Sequence, residues 1–322
     1  MPTVLLTNSY APPLQALIRS LAPAEFDLVL MEKAEQAELL KKIPEVDYLL
    51  VGGRLPIGRA LLESATRLRM VQRSGVGLDS IDLDELKARH IPLYVNPGVN
   101  AQSVAEHTVM LVLAVLRRLP AVHATLKNGQ WIKHELGIRN RDLRGRKLGL
   151  IGLGHIGLAV AQLLQPFGVD LAYYKPSRLD SSTEAGLNLR YLSLDDLLGW
   201  SEIVSLHCPL NSATRGMLDA RRLALLPPGA VLVNTARGAL IDESALVEAL
   251  HQGRLGGAAL DVYAQEPLPA DSPLRTLENV VLTPHIGGIT RDAFTAMMNQ
   301  AFSNILAFDE GKLDVIAKYR VC

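Results

Sequence analysis

The stretch Lys147-Leu148-Gly149-Leu150-Ile151-Gly152-Leu153-Gly154-His155-Ile156-Gly157 decides how the chain is read. Lys147 to Ile151 suits a buried strand, a glycine-spaced turn follows, and Leu158 to Leu164 continues as a helix. In that setting each glycine has its own task. Gly152 makes the tight turn, Gly154 lets the main chain approach a pyrophosphate, and Gly157 lets helix pack on strand. The helix N-terminus, with His155 and Ile156 at its start, favours the anion. The plainer reading is a tight strand-to-helix turn with no ligand; strand before and helix after favour the dinucleotide turn.

Outward from this turn, short β-branched runs alternate with helix-length segments, the pattern of parallel sheets wound by right-handed crossovers. The class predicted is α/β, with two doubly wound parallel-sheet domains. One strand series runs Val4 to Thr7, Phe26 to Met31, Asp47 to Val51, Met70 to Arg73 and Leu93 to Asn96. A second runs Leu148 to Ile151, Leu171 to Tyr174, Ile203 to His207, Ala230 to Asn234, Gly257 to Val262 and Val280 to Thr283, a six-strand sheet. Ala101 to Arg118 is a long connecting helix, and a helix near Arg291 to Glu310 belongs to neither series. The expected division is 1–100 for the first part of a substrate domain, 101–287 for a Rossmann domain, and 288–322 for a return to the first domain. A chain of 322 residues, 48% hydrophobic, can bury two such cores.

Lys plus Arg and Asp plus Glu number 33 each, so no net field favours nucleic acid or an anionic membrane surface. The basic stretch Arg139 to Lys147 reads as a solvated loop. Val109 to Leu116 is far shorter than the roughly 20 apolar residues of a membrane span and reads as a buried helix. Met1-Pro2 leads directly into Val4-Leu5-Leu6 without a secretory pattern, and the expectation is cytoplasmic residence. Cys208 and Cys322 offer neither a disulfide framework nor metal spacing; no metal is expected, and Cys208 reads as a packed thiol.

The strand after the glycine turn should end in an acidic residue that binds the ribose hydroxyls of NAD. Tyr174-Lys175-Pro176-Ser177-Arg178 instead offers two cations and a hydroxyl, suited to the 2′-phosphate of NADP. NADP is the expected cofactor, with NAD, held through main chain and pyrophosphate, as the other choice.

Ligands of open α/β sheets lie at the carboxyl ends of the strands, so polar residues just beyond strands matter most. Arg237 follows one strand, Asp261 ends the next, Glu266 comes shortly after, and His285 follows the last. Reduction of a 2-oxo acid needs a cation for the carboxylate and a proton donor at the ketone oxygen. Arginine's planar fork stays charged, and imidazole beside a carboxylate titrates where an acid–base group works. Arg237, Glu266 and His285 thus form a set of clamp, orienter and proton carrier, and Asp261 suits the nicotinamide end. Singly each has a bland reading: a surface ion pair, a turn residue before proline, a core histidine. Succession after neighbouring strands favours the chemical reading.

These stretches resemble the D-isomer-specific 2-hydroxyacid dehydrogenase family over essentially the whole chain. The matching text is Gly152 to Gly157, Val204-Ser205-Leu206-His207-Cys208-Pro209-Leu210 with Thr214, Asn234 to Asp242, Gly257 to Pro267 and Thr283 to Gly288. Ser74 to Asp79, Asn96 to Ala101 and Ser103 to Glu106 also look like family text. The resemblance implies a Rossmann cofactor domain inserted into a flavodoxin-like substrate domain, and a homodimer formed through the cofactor domain. It implies substrate binding by Arg237, acid–base work by His285 with Glu266 as partner, and main-chain substrate contacts at Gly52, Gly75, Val76 and Gly77. Beside the cofactor it sets Thr108, His207, Cys208, Pro209, Thr214, Thr235, Ala236, Asp261 and Gly287, with Arg237 and His285 bordering it. Lys175 departs from the family's usual acid. The chain also stops soon after the returning helix, so the regulatory extension of many phosphoglycerate dehydrogenases is not expected.

A formate dehydrogenase would carry glutamine at position 266. A glyoxylate or hydroxypyruvate reductase is the leading specific reading, since Val51-Gly52-Gly53 is a small loop and NADPH drives reduction. Bulkier 2-oxo acids form an alternative. Corepressors that resemble this family and sense dinucleotides form another, opposed by the lack of a disordered or charged extension.

Overall fold

The computed structural model describes residues 1–53 and 55–322. The chain divides into two compact units, Met1–Asn100 with Arg291–Cys322, and Ala101–Thr290.

Among the described residues the first unit holds five parallel strands, β1 (Thr3–Ser9), β2 (Asp27–Met31), β3 (Tyr48–Val51), β4 (Met70–Arg73) and β5 (Leu93–Tyr94), in the order β2-β1-β3-β4-β5. That is the flavodoxin-like order. Side chains alternate across it: Leu5, Leu49 and Val71 enter one core, while Val4, Leu6, Tyr48, Leu50 and Met70 enter the other. Into the second core comes the helix Arg291–Asp309, through Phe294, Met298, Phe302 and Ile305. Three buried amides fix its register. Gln72 Nε2 donates to Asn96 Oδ1 (3.1 Å), and Asn304 Nδ2 donates to Gln72 Oε1 (3.1 Å) and Asn96 Oδ1 (3.3 Å). Tyr48 OH and Arg69 both donate to Asp309 near the helix end.

The second unit holds β6 (Lys147–Ile151), β7 (Asp170–Tyr174), β8 (Leu189–Tyr191), β9 (Ile203–Leu206), β10 (Ala230–Asn234), β11 (Leu255–Leu260) and β12 (Val280–Leu282). All are parallel, in the order β12-β11-β10-β9-β6-β7-β8. The sheet therefore has seven strands and not six. The strand the sequence did not announce, β8, is a three-residue edge whose middle residue, Arg190, is exposed. Strand order reverses between β6 and β9, as in the dinucleotide-binding topology, whose ligands lie at the carboxyl ends of the strands at that point. The helix Ala101–Leu116 is buried along most of its length, with Leu111 and Val112 fully enclosed.

No single helix among the described residues is long and apolar enough to cross a membrane; Ala101–Leu116 and Leu119–Lys127 pass that test only as a pair bent by 63°. The basic stretch before β6 is not simply solvated. Arg141 donates to the Gly229 carbonyl (2.6 Å), and Arg146 pairs with Glu202 (2.6 Å).

Candidate active site

The glycine turn sits where β6 gives way to the helix His155–Leu164. Gly152 has φ +92°, and a Cβ there would lie 2.6 Å from the Cys208 nitrogen. A Cβ on Gly157 would overlap the Gly152 carbonyl oxygen, so turn and helix touch backbone to backbone. Gly154 is the N-cap, makes no side-chain cap bond, and has open space where a side chain would stand. An open glycine before an uncapped ten-residue helix leaves donors for an anion. Across the strand-order reversal, His207 hydrogen-bonds Ser205 through Nε2 (2.9 Å), while its shielded Nδ1 meets no partner among the described residues. Burial pushes the His207 imidazole down to about 3, so the ring is neutral. An open glycine cradle, unsatisfied helix donors and an orphaned ring nitrogen fit a dinucleotide. Cys208 packs its sulfur on Met217 (3.7 Å), and burial pushes the thiol up to about 11, as suits a packed residue. Pro209 and Thr214 belong to a turn in which Thr214 Oγ1 donates to the Pro209 carbonyl (2.7 Å).

The loop after β7 differs from its sequence reading. Lys175 is half-buried, and Ser177 and Arg178 are exposed. Arg178, however, forks onto Glu184, Nε to Oε1 at 2.8 Å and Nη2 to Oε2 at 2.7 Å, and lies over the Tyr191 ring. Tyr173 OH also donates to Glu184 (2.7 Å) and accepts from the Leu179 N–H (2.8 Å). A carboxylate that the stretch 174–178 did not contain thus matches the Arg178 charge.

At the carboxyl ends of β10, β11 and β12 the register aligns Asn234, Leu260 and Leu282. Arg237, Asp261 and His285 each lie within three residues of these ends, on neighbouring strands about 4.8 Å apart. His285 Nδ1 meets Glu266 Oε2 at 2.7 Å, and Glu266 Oε1 accepts from the Tyr263 N–H at 3.0 Å. A carboxylate can only accept, so Nδ1 carries the hydrogen of that contact, which fixes the tautomer of the neutral ring. His285 has φ +54°, a left-handed conformation uncommon outside glycine.

Asp261 is 2% exposed. Its Oδ1 accepts from Thr283 Oγ1 (2.6 Å) and the Ile286 N–H (2.9 Å), and its Oδ2 from the Gly287 N–H (2.9 Å). Burial alone pushes the carboxyl up, but hydrogen bonds from His107, Thr283, Ile286 and Gly287 outweigh it and hold the group below its usual range. Asp261 therefore secures the segment carrying His285. Arg237 is half-buried, with Nη1 donating to the Ala236 carbonyl (2.7 Å). Ala236 N–H is held by Asn234 Oδ1 (3.0 Å), and Thr108 Oγ1 bonds Thr235 Oγ1 (3.0 Å). A Cβ on Gly238 would overlap the Tyr263 carbonyl, so the Arg237 loop and the loop leading to Glu266 touch through backbone.

In the first unit, Gly52 follows β3 and lies against the Asn8 side chain, whose Nδ2 would be 2.6 Å from a Cβ there. Gly75, exposed Val76 and Gly77 follow β4, with the Gly75 carbonyl accepting from the Asn96 N–H (3.0 Å). Sequence reasoning passed over Glu184, Tyr263, Thr283 and His107, whose roles arise from chain reversal and not from any local motif. Among the described residues no group of three or more His, Cys, Asp or Glu could hold a metal ion.

Residues 109–287 match the family model described as D-isomer specific 2-hydroxyacid dehydrogenase, NAD binding domain. The glyoxylate reductase of Thermofilum pendens is 39% identical over 278 residues, 86% of this chain and 82% of that protein. The hydroxypyruvate reductase of Thermotoga maritima is 40% identical over 82% of this chain and 85% of that protein. The D-3-phosphoglycerate dehydrogenase of Mycobacterium bovis is 37% identical over 91% of this chain, which spans about half, 54%, of that relative's length. The crystal structure of the TT0316 protein from Thermus thermophilus superposes with a TM-score of 0.84 at 36% identity, covering 96% of this chain and 97% of that one.

The Glu184 carboxyl is drawn down to about 2, first by Arg178 and then by Tyr173. Because its folded value lies below the ordinary 4.5, the stability it contributes is full above that pH and is lost as pH falls toward about 2. Thermal unfolding followed across this window should show a shallower fall for Glu184→Gln than for the wild-type chain. Equal slopes would show that the pair does not act on folding.

Proposed function

The chain belongs to the D-isomer specific 2-hydroxyacid dehydrogenase family, and from that premise we propose that it reduces a small 2-oxo acid, glyoxylate or hydroxypyruvate, with a nicotinamide dinucleotide. The observation that carries the reading is the 2.7 Å contact of His285 Nδ1 with Glu266, which leaves Nε2 as a proton carrier. The dinucleotide, when bound, supplies the hydride received at C2. Gly152, Gly154 and Gly157, with His155 and Ile156, would hold its pyrophosphate, and Thr108, His207, Cys208, Pro209, Thr214, Thr235, Ala236, Asp261 and Gly287 would border the rest. Arg237 would hold the acid's carboxylate with its planar fork. His285 would pass the proton on Nε2 to the oxygen at C2, with Glu266 stabilising the charged ring and fixing its tautomer. On the first unit, Gly52, Gly75, Val76 and Gly77 are proposed to offer main chain to the acid.

Preference for NADP is a further part of the proposal and now rests chiefly on Lys175 with Ser177, since Arg178 already has a carboxylate partner. Cytoplasmic residence is proposed as well, as is a homodimer in which a second copy covers Trp131 and Ile138, 80% and 87% exposed on this chain.

His285→Ala should lower kcat for glyoxylate or hydroxypyruvate by about 10²- to 10⁴-fold while leaving the dinucleotide Kd nearly unchanged. Comparable turnover in that variant would remove His285 from the role. In the wild-type chain kcat/KM should favour NADPH over NADH, and Lys175→Asp should reverse the order; a wild-type preference for NADH ends the NADP assignment. Sedimentation equilibrium should give a dimer that Trp131→Glu with Ile138→Glu weakens, and a wild-type monomer at micromolar concentration would overturn it.

A further inference from the structure

His107 lies on the helix Ala101–Leu116, its side chain 12% exposed, against the end of the second sheet. Its Nε2 is 3.0 Å from Thr283 Oγ1 and 3.4 Å from Asp261 Oδ1. The tautomer follows from hydrogen counting. The single hydroxyl hydrogen of Thr283 goes to Asp261 at 2.6 Å, so Thr283 Oγ1 can only accept from His107, and a carboxylate oxygen can only accept. Nε2 therefore carries a hydrogen and points it at both oxygens. The ring is also a wall: a Cβ on Gly287 would lie 3.1 Å from His107 Cδ2 and 3.0 Å from Asp261 Oδ2.

The same helix turn reaches the neighbouring loop. Thr108, the next residue, gives its hydroxyl to the Val104 carbonyl (2.7 Å) and meets Thr235 Oγ1, two residues before Arg237. Residues 107 and 108 thus brace the two loops on which Arg237 and His285 stand. Thr283–Gly287 is held by Asp261 through Thr283, Ile286 and Gly287, by Tyr263 OH on the Thr283 carbonyl (2.8 Å), and by His107. Of these braces, His107 alone comes from outside the strand ends themselves.

We infer that His107 is a positioning residue for the imidazole of His285: its Nε2–H, shared between Thr283 and Asp261, fixes the left-handed segment that carries that ring. The inference rests, for its catalytic consequence, on the reading of His285 given above. A donor at this place keeps the Thr283 hydroxyl turned toward Asp261, and Asp261 in turn holds the two amides that follow His285, those of Ile286 and Gly287. Without the donor, the hydroxyl can rotate and the Asp261 clamp loses one of its braces. The Nε of glutamine can donate from nearly the same place, whereas phenylalanine fills the ring's volume and donates nothing.

The test compares His107→Phe and His107→Gln by two readouts. Amide hydrogen exchange at Ile286 and Gly287, measured on the chain without added dinucleotide, should speed up about tenfold or more in the phenylalanine variant and stay close to wild type in the glutamine variant. Turnover of glyoxylate with NADPH should fall by about tenfold to a hundredfold in the phenylalanine variant and recover in the glutamine variant. Unchanged exchange in His107→Phe, or a glutamine variant as impaired as phenylalanine, overturns the role of the donor. Faster exchange with undiminished turnover overturns its catalytic consequence. A wild-type chain that reduces no 2-oxo acid defeats the functional reading, while the exchange data still decide what His107 does.

Discussion

A carboxylate almost wholly out of water stands at the end of β11, and the arrangement of the site follows from satisfying it. Removing such a charge from solvent costs several kcal/mol unless hydrogen bonds replace the lost water. Asp261 recovers them from the Thr283 hydroxyl and from the Ile286 and Gly287 N–H groups, all beyond the end of the neighbouring strand β12. To present those amides, the chain must turn sharply at residue 285. His285 accordingly adopts φ +54°, a conformation that costs about 1–3 kcal/mol in a non-glycine residue and persists only where its surroundings over-determine it. The strain and the buried charge answer one another: the turn supplies the donors, and the donors hold the turn.

Charge is balanced in the same local way at the loop after β7. Arg178 could have stood as an exposed cation, but Glu184 receives its fork, and Tyr173 caps the same carboxylate from within the sheet. The ion pair is partly exposed, with Arg178 at 62% and Glu184 at 10%, so its contribution is tempered by solvent. Its clearer effect is geometric. Tyr173 both donates to Glu184 and accepts from the Leu179 N–H, which closes the loop 175–180 on itself.

Much of this was legible in the residues. The strands of both series stand where apolar runs placed them, and the glycine turn stands between strand and helix as its spacing required. The pairing of Glu266 with His285 was also readable, because both chemistry and succession after neighbouring strands pointed to it. What escaped reading depended on chain reversal. Leu189–Tyr191 gave too few residues, with Arg190 at the centre, to show a strand period. Glu184 lies six residues beyond Arg178 and meets it only because a helix begins at Ser181. Gln72, Asn96 and Asn304 are amides, a type more often found at the surface, and nothing local announces that all three are buried together. Their burial is also what makes the returning helix specific: apolar contacts alone would tolerate a slip along the strands, whereas a shifted Asn304 would strand three polar groups.

The loops of Arg237 and Glu266 are bound by one packing constraint. Asn234 closes the first loop on itself, accepting from the Ala236 N–H and donating to the Arg237 carbonyl at 2.8 Å. Gly238 then lies so near Tyr263 that no side chain fits between the two main chains. Beyond Tyr263, the Ala264 N–H is tied to Glu243 (3.0 Å), on the helix that follows the first loop, and the Tyr263 N–H is tied to Glu266. A displacement of the first loop must therefore move Tyr263, and with it the carboxylate that orients His285. Interiors packed at this density shift between discrete arrangements and do not deform smoothly. The loops that carry Arg237 and Glu266 are consequently coupled through their backbones.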